Sequence, residues 1–266
     1  MQKTMLIIKH MGNALRARDL ESGEIHSIKS PDAYDVKELD TIILDINKEW
    51  TFKKTLYISG TVIQQEFKPE NLQVPPHKYI SYGLWDPEES YGDEAPDYFA
   101  DYLQEEFRES FEFEDYTGYG FYGPDSDPIF EAVESKTFQE RYNILAKLWE
   151  AYPQCIDALV HIGHMHMDSP RYIDRAVQLY QAAILISEQN FPPDFDPVFL
   201  WVNIDNRPYL RALQGLCLAL WRIEKYDDAA RIAKKLLRLN PPDNQGVRFI
   251  IEDIKNHVPW RDDDSV

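Results

Sequence analysis

Hydrophobic positions along the first 67 residues recur with a period close to two. MLIIKHM (5–11), ALRARDL (14–20) and GEIHSI (23–28) are short runs with partial alternation, the last two separated by the turn-like Glu21-Ser22-Gly23. Such alternation marks strands with one buried face. TIILDINKEW (41–50) and TLYISGTVIQQEF (55–67) follow, rich in β-branched and aromatic residues, and the Lys53-Lys54 pair between them predicts a hairpin. Five short strands in so little chain most economically form a small antiparallel barrel or a curled sheet. Pro69, Pro75 and Pro76 end the region, so residues 1–75 are expected to form a small β-rich domain.

The pattern then changes twice. Residues 76–136 read as an acidic aromatic connector, whose part 86–115 holds thirteen acidic residues and one basic residue, Arg108. Phe99, Tyr102, Leu103 and Phe107 recur at helical spacing after Pro96 and predict one amphipathic helix with an aromatic stripe, while Tyr98, Phe111 and Phe113 add further aromatic groups. The Gly-rich aromatic stretch YTGYGFYG (116–123), followed by Pro124 and Pro128, predicts a loop. From Thr137 to about residue 258 the apolar spacing is helical throughout, with a tail over 259–266.

Composition narrows the class. A chain of 266 residues with 44% hydrophobic content can bury a sizeable core, split over two units. The formal charge of −18 disfavours a nucleic-acid or anionic-membrane partner, because phosphates are repelled unless a local basic patch overrides the field. Cys155 and Cys217 both fall in amphipathic helical segments and read as buried small hydrophobes, with no disulfide framework. The N-terminal apolar run is too short for a signal peptide, and no stretch approaches the roughly 20 apolar residues of a membrane span. The expectation is a soluble, cytoplasmic protein.

The helical half carries a repeat. RPYLRALQGLCLALWRIEKYDDAARIAKKLLRLNPPD, from Arg207 to Asp243, resembles a tetratricopeptide repeat through Leu216 at the seventh position, Tyr226 before the second helix, Ala229 at the twentieth and Pro241 at the thirty-second. Cys217 and Leu236 stand where the family usually has Gly and Ala. In the same frame, Leu159, Ile162 and Gly163 fall in a first helix and Ala176, Tyr180 and Ala183 in a second. Pro153 ends an earlier half repeat, and Val247, Ile250, Ile251 and Ile254 mark a capping helix. NFPPDFDPVFLWVNIDN (190–206) is an insertion that the family does not require. The expected architecture is therefore α+β: a small N-terminal antiparallel β barrel or sheet followed by a tetratricopeptide-like α-helical superhelix.

The resemblance implies a concave groove lined by the first helix of each repeat. Carried over, the lining residues are Asp157, Val160, His164 and Met167, less surely Asp168, then Arg211, Gln214, Leu218, Trp221 and Arg222, with Gln245, Arg248 and Glu252 from the cap. Arginines flanking a tryptophan suit an acidic, aromatic peptide. Against this, Trp221 and Leu218 are equally suited to packing on the insertion. The chain's own segment 97–115 has the matching composition; it either lies along the groove as a displaceable element or packs permanently as an extra helix.

Other chemistry is sparse. His161, His164 and His166 near Asp168 form the one metal-like cluster, but His166 falls on another face, so no metal is expected. No phosphate loop, dinucleotide fingerprint, nucleophile elbow or HExxH is present, and no cofactor is expected. The expected function is a non-catalytic interaction or adaptor module for a peptide or protein segment. Two alternatives stay open: an enzyme with an unrecognised site, and a nucleic-acid-binding protein using the N-terminal barrel, where Trp50, Phe52 and Tyr57 sit beside Lys48, Lys53 and Lys54. Aromatics at alternate strand positions are, however, more often core.

Overall fold

The computed structural model describes residues 1–88, 106–114, 127–167 and 169–261, which divide into two units at Val74/Pro75. In the first unit, strands β1 (Gln2–His10), β2 (Leu15–Asp19), β3 (Ile25–Lys29), β4 (Asp40–Phe52) and β5 (Thr55–Phe67) close into a barrel in the order β1-β2-β3-β5-β4. The expected strands are all present. Their arrangement is not purely antiparallel, because β3 and β5 pair in parallel. The β3 to β4 connection, with its 3-10 turn Pro31–Tyr34, permits this and contributes Ala33 and Val36 to the core.

Alternate residues point inward, as the period-two pattern requires: Met5 and Ile7, Leu15 and Ala17, Ile42 and Leu44, with Ile28 and Ile58 completing the core. Gly60 marks a point of close approach. A Cβ there would lie 3.0 Å from the Leu44 side chain and closer still to the Asp45 carbonyl, beside irregularities in the β4–β5 register. Beyond it, β4 and β5 continue as a paired hairpin to the Lys53-Lys54 turn, where both lysines hold positive φ (47° and 67°).

In the second unit the helices are α1 (Pro128–Glu134), α2 (Phe138–Ala151), α3 (Ile156–Met167), α4 (Ile173–Glu188), α5 (Arg207–Arg222), α6 (Tyr226–Leu239) and α7 (Ile251–Lys255). Asp127 caps α1, accepting from the Ile129 N–H at 2.8 Å, with Pro128 at the first helical position. Thr137 caps α2 by accepting from the Glu140 N–H at 3.2 Å. Successive helices pack side by side, and α3 also packs against α5. Tyr180 of α4 is fully buried where α3 and α5 both lack a side chain: a Cβ on Gly163 would come within 2.7 Å of its ring, and one on Gly215 nearer still.

Residues 75–88 and 106–114 belong to this same unit. Strands β6 (Tyr79–Trp85) and β7 (Arg108–Phe113) pair antiparallel, Tyr79 opposite Phe113 and Trp85 opposite Arg108. The helix expected after Pro96 lies outside the described residues apart from its end. Phe111 and Phe113, beyond that helix, sit on a strand and face inward at a spacing of two. The insertion forms the other wall of the cluster they enter. Phe111 N–H donates to the Val198 carbonyl (2.8 Å) and Val198 N–H to the Glu109 carbonyl (2.9 Å).

Asn206, fully buried, accepts from the Phe113 N–H (3.1 Å) and donates to the Phe111 and Leu200 carbonyls (2.9 and 3.1 Å). Phe113 stacks on Phe199 at 4.7 Å and meets Tyr209 of α5 edge-on at 5.5 Å. Arg108, also buried, donates to Asp196 (3.2 Å) and to the Arg238 carbonyl (2.6 Å) with its guanidinium over Trp85. The described part of the acidic segment, residues 106–114, thus holds a strand and not a helix, bound by the insertion and packed by Phe113 against Tyr209 of α5.

Two outcomes follow. Gly215→Ala gains about 1 kcal/mol of helix propensity, yet forcing a methyl group into the Tyr180 ring costs about 1–3 kcal/mol. Urea unfolding should give a net loss, and adding Tyr180→Leu should give a double variant milder than the two single losses added together. The second concerns His77, whose Nε2–H donates to the Gln154 carbonyl at 2.8 Å and whose burial pushes its pKa down to about 4. The native state holds this ring neutral while the unfolded chain protonates it near 6.5, so stability is full above that value and falls as pH drops toward 4, by on the order of 3 kcal/mol. In His77→Gln, the difference between unfolding midpoints at neutral and mildly acid pH should shrink.

Candidate ligand groove

Most of the residues expected to line a groove are borne by α3 and α5, which lie against each other. Asp157 and Arg211 meet across the two helices, one guanidinium nitrogen lying 3.1 and 3.2 Å from the carboxylate oxygens. Both are partly shielded from water, so the pair fixes the helices' register more than it strengthens them. Arg211 also lies over the ring of Trp201 from the insertion, 5.7 Å from its centroid. Gln214 donates to the Gln245 carbonyl at 3.0 Å, which brings the turn before α7 onto α5. Arg222 donates to the Met167 carbonyl, joining the C-terminal ends of α5 and α3.

Several expected lining residues are placed otherwise. Val160 is fully buried and belongs to the core. Arg248 is held in a buried ion pair with Asp243 at 2.7 Å. Asp168 lies outside the described residues. Trp221 is covered by the C-terminal segment: its indole N–H donates to the Val258 carbonyl at 2.7 Å, and Trp260 meets it edge-on at 4.9 Å. Arg222 lies over the same Trp260 ring at 5.2 Å. The segment after α7, read from the sequence as a tail, therefore covers Trp221, one of the expected lining residues. Pro259-Trp260 was the one signal, a large aromatic in an otherwise acidic end.

Leu218 is half-buried and His164 exposed, and His164 opens onto a cleft of about 550 Å³ that the sequence did not reveal. Its walls come from the α1–α2 junction and from α3, with Lys136, Arg141, His161 and His164 supplying the polar lining and Val133, Phe138 and Met165 the apolar. Among the described residues, no carboxylate lines it. Arg141 donates to the Ala132 and Val133 carbonyls at 3.1 and 2.9 Å, holding the end of α1 against α2.

Burial holds the His161 pKa below its ordinary value; Asp157 opposes this and Arg211 and Arg141 add to it, so the ring is neutral near pH 7. His161 and His164 meet edge-on at 5.9 Å, whereas His166 packs between Phe138 and Tyr172. Among the described residues no three His, Cys, Asp or Glu side chains converge as metal donors, and no helix is long and apolar enough to cross a membrane.

No family model matches this chain, and comparison with curated proteins and with solved structures gives no match either.

Removing the indole that covers Trp221 provides a direct check. Trp260→Ala should lose about 0.5–1.5 kcal/mol of ring contact and expose Trp221, seen as a red shift of tryptophan emission beyond that expected from deleting one fluorophore. Unchanged emission from Trp221 would mean that the segment does not cover it.

Proposed function

We propose that the helical unit is a non-catalytic interaction module of tetratricopeptide type that binds an acidic peptide segment, seated in the cleft between the α1–α2 junction and α3 and continuing toward α5. The observation that carries this reading is the electrostatic character of the cleft. In a chain with formal charge −18, a concavity lined by Lys136, Arg141 and two histidines has no carboxylate among the described residues that line it. Basic groups set among Val133, Phe138 and Met165 suit a ligand that pairs carboxylates with aromatic or aliphatic side chains. The shared apposition of α3 and α5, with Tyr180 between two glycines, is the arrangement expected where first helices of successive repeats form one wall.

The module acts by holding, not by chemistry. Arg141 is already committed to the α1 carbonyls and orients the cleft, so the exposed Lys136 and His164 are the contacts for the ligand.

A fluorescein-labelled synthetic peptide with the sequence of residues 97–113 is a defined probe of the right composition. Binding measured by anisotropy should saturate, and the Lys136→Glu/His164→Glu variant, altered only at exposed positions, should bind about tenfold more weakly, the loss of one to two charged contacts. Equal affinity of wild type and variant would remove the cleft as the site.

A further inference from the structure

The outer face of the barrel carries a second, independent pattern. Register places Arg16 opposite Ser27, Ser27 opposite Tyr57, and Tyr57 opposite Trp50, one row across β2, β3, β5 and β4. The flanking row runs from Lys29 through Ser59 to Lys48. On the other side, Arg18 faces Ile25 on the adjoining strands, and Phe52 lies at the end of the hairpin, 57% exposed. Because Ile28 and Ile58 point inward, the residues alternating with them share the outer surface.

No carboxylate occupies these rows. Glu49, between Lys48 and Trp50, turns the other way and pairs with Lys3 at 3.4 Å. Trp50 and Tyr57 stack nearly parallel at 5.3 Å, with the Lys48 ammonium 5.7 Å from the Trp50 ring centroid. The Lys53-Lys54 turn adds two more exposed cations at the tip.

The acidity that argues against a nucleic-acid partner is not located here. The first 74 residues hold eleven acidic and ten basic side chains, so nearly all of the −18 lies beyond them. A near-neutral barrel with cations and stacked aromatics gathered on one face has the local potential that the whole-chain charge conceals. Flat rings offered beside cations spaced along a strand direction suit an unpaired polynucleotide, whose bases stack and whose phosphates pair, better than a duplex whose bases are already stacked.

We propose that the outer face of β2, β3, β5 and β4, centred on Trp50 and Tyr57, binds single-stranded nucleic acid. Arg18, Lys29 and Lys48 meet phosphates, and the exposed Phe52 with the Trp50–Tyr57 pair receives bases.

The test uses the full chain and a labelled oligothymidylate of about twenty nucleotides, a length that exceeds the site of one small barrel. Anisotropy at low salt should show saturable binding that weakens as salt rises, with two to three phosphate contacts giving a slope of about −1.4 to −2 in log K against log salt. A duplex of the same length should bind more weakly. Lys29→Glu/Lys48→Glu, at exposed positions, should weaken binding about tenfold or more and flatten the salt slope. Trp50→Ala should weaken it about fivefold or more and leave the slope unchanged. Absence of binding at low salt overturns the proposal, as does binding indifferent to both variants. If the double variant instead releases the acidic peptide probe and leaves the oligonucleotide bound, the face belongs to an acidic protein segment and the nucleic-acid reading falls.

Discussion

The second unit depends on the burial of one ring between two helices that have given up their side chains to admit it. Tyr180 projects from α4 into the seam where Gly163 of α3 and Gly215 of α5 approach. With larger residues at either glycine the helices would stand further apart. The Asp157–Arg211 pair and the Arg222 bond to the Met167 carbonyl would then lose their span. Those bonds sit at opposite ends of the same seam, so the wedge sets the distance and the polar contacts set the rotation. The packing density of protein interiors makes this distance nearly binary, because a seam that cannot close leaves a void instead of a looser fit.

A different device closes the other side of the unit. The insertion between α4 and α5 supplies Phe191, Phe195 and Phe199 to a cluster with Tyr79, Phe111, Phe113 and Tyr209. Asn206 satisfies the backbone of β7 and of the insertion at once. Burying Arg108 is tolerable because Asp196 and backbone oxygens receive its donors, and Asp196 in turn holds Arg238. The acidic stretch thereby gains a folded anchor at the one point where its charge density is broken by an arginine.

These two devices differ in how far they could be read beforehand. Period-two alternation placed all five barrel strands, since each buries one face against a single core, but a one-dimensional pattern carries no information on whether neighbours run parallel, and β3 with β5 did. The spacing of Gly163 and Tyr180 was visible as a frame; Gly215 lay outside the frame's own glycine position and was found only in three dimensions. Phe107, Phe111 and Phe113 satisfy both a helical and an extended spacing. The strand is selected by long-range hydrogen bonds to Val198 and Asn206, which no local window contains. Two of the expected lining residues are engaged within the fold for a similar reason. Trp221 and Arg248 have the residue types of a binding wall, yet Trp260 and Asp243 reach them first.

The Lys53-Lys54 turn has a consequence for what keeps the long hairpin in register. Two successive non-glycine residues at positive φ are a poor nucleus for a hairpin, which normally enlists asparagine and glycine at such positions. The register of β4 on β5 therefore rests on the pairs at the barrel end, such as Leu44 with Val62, more than on the turn itself. Alignment of Trp50 on Tyr57 is in this sense inherited from the distant core, and the tip can vary in sequence without losing the register that brings the two rings together.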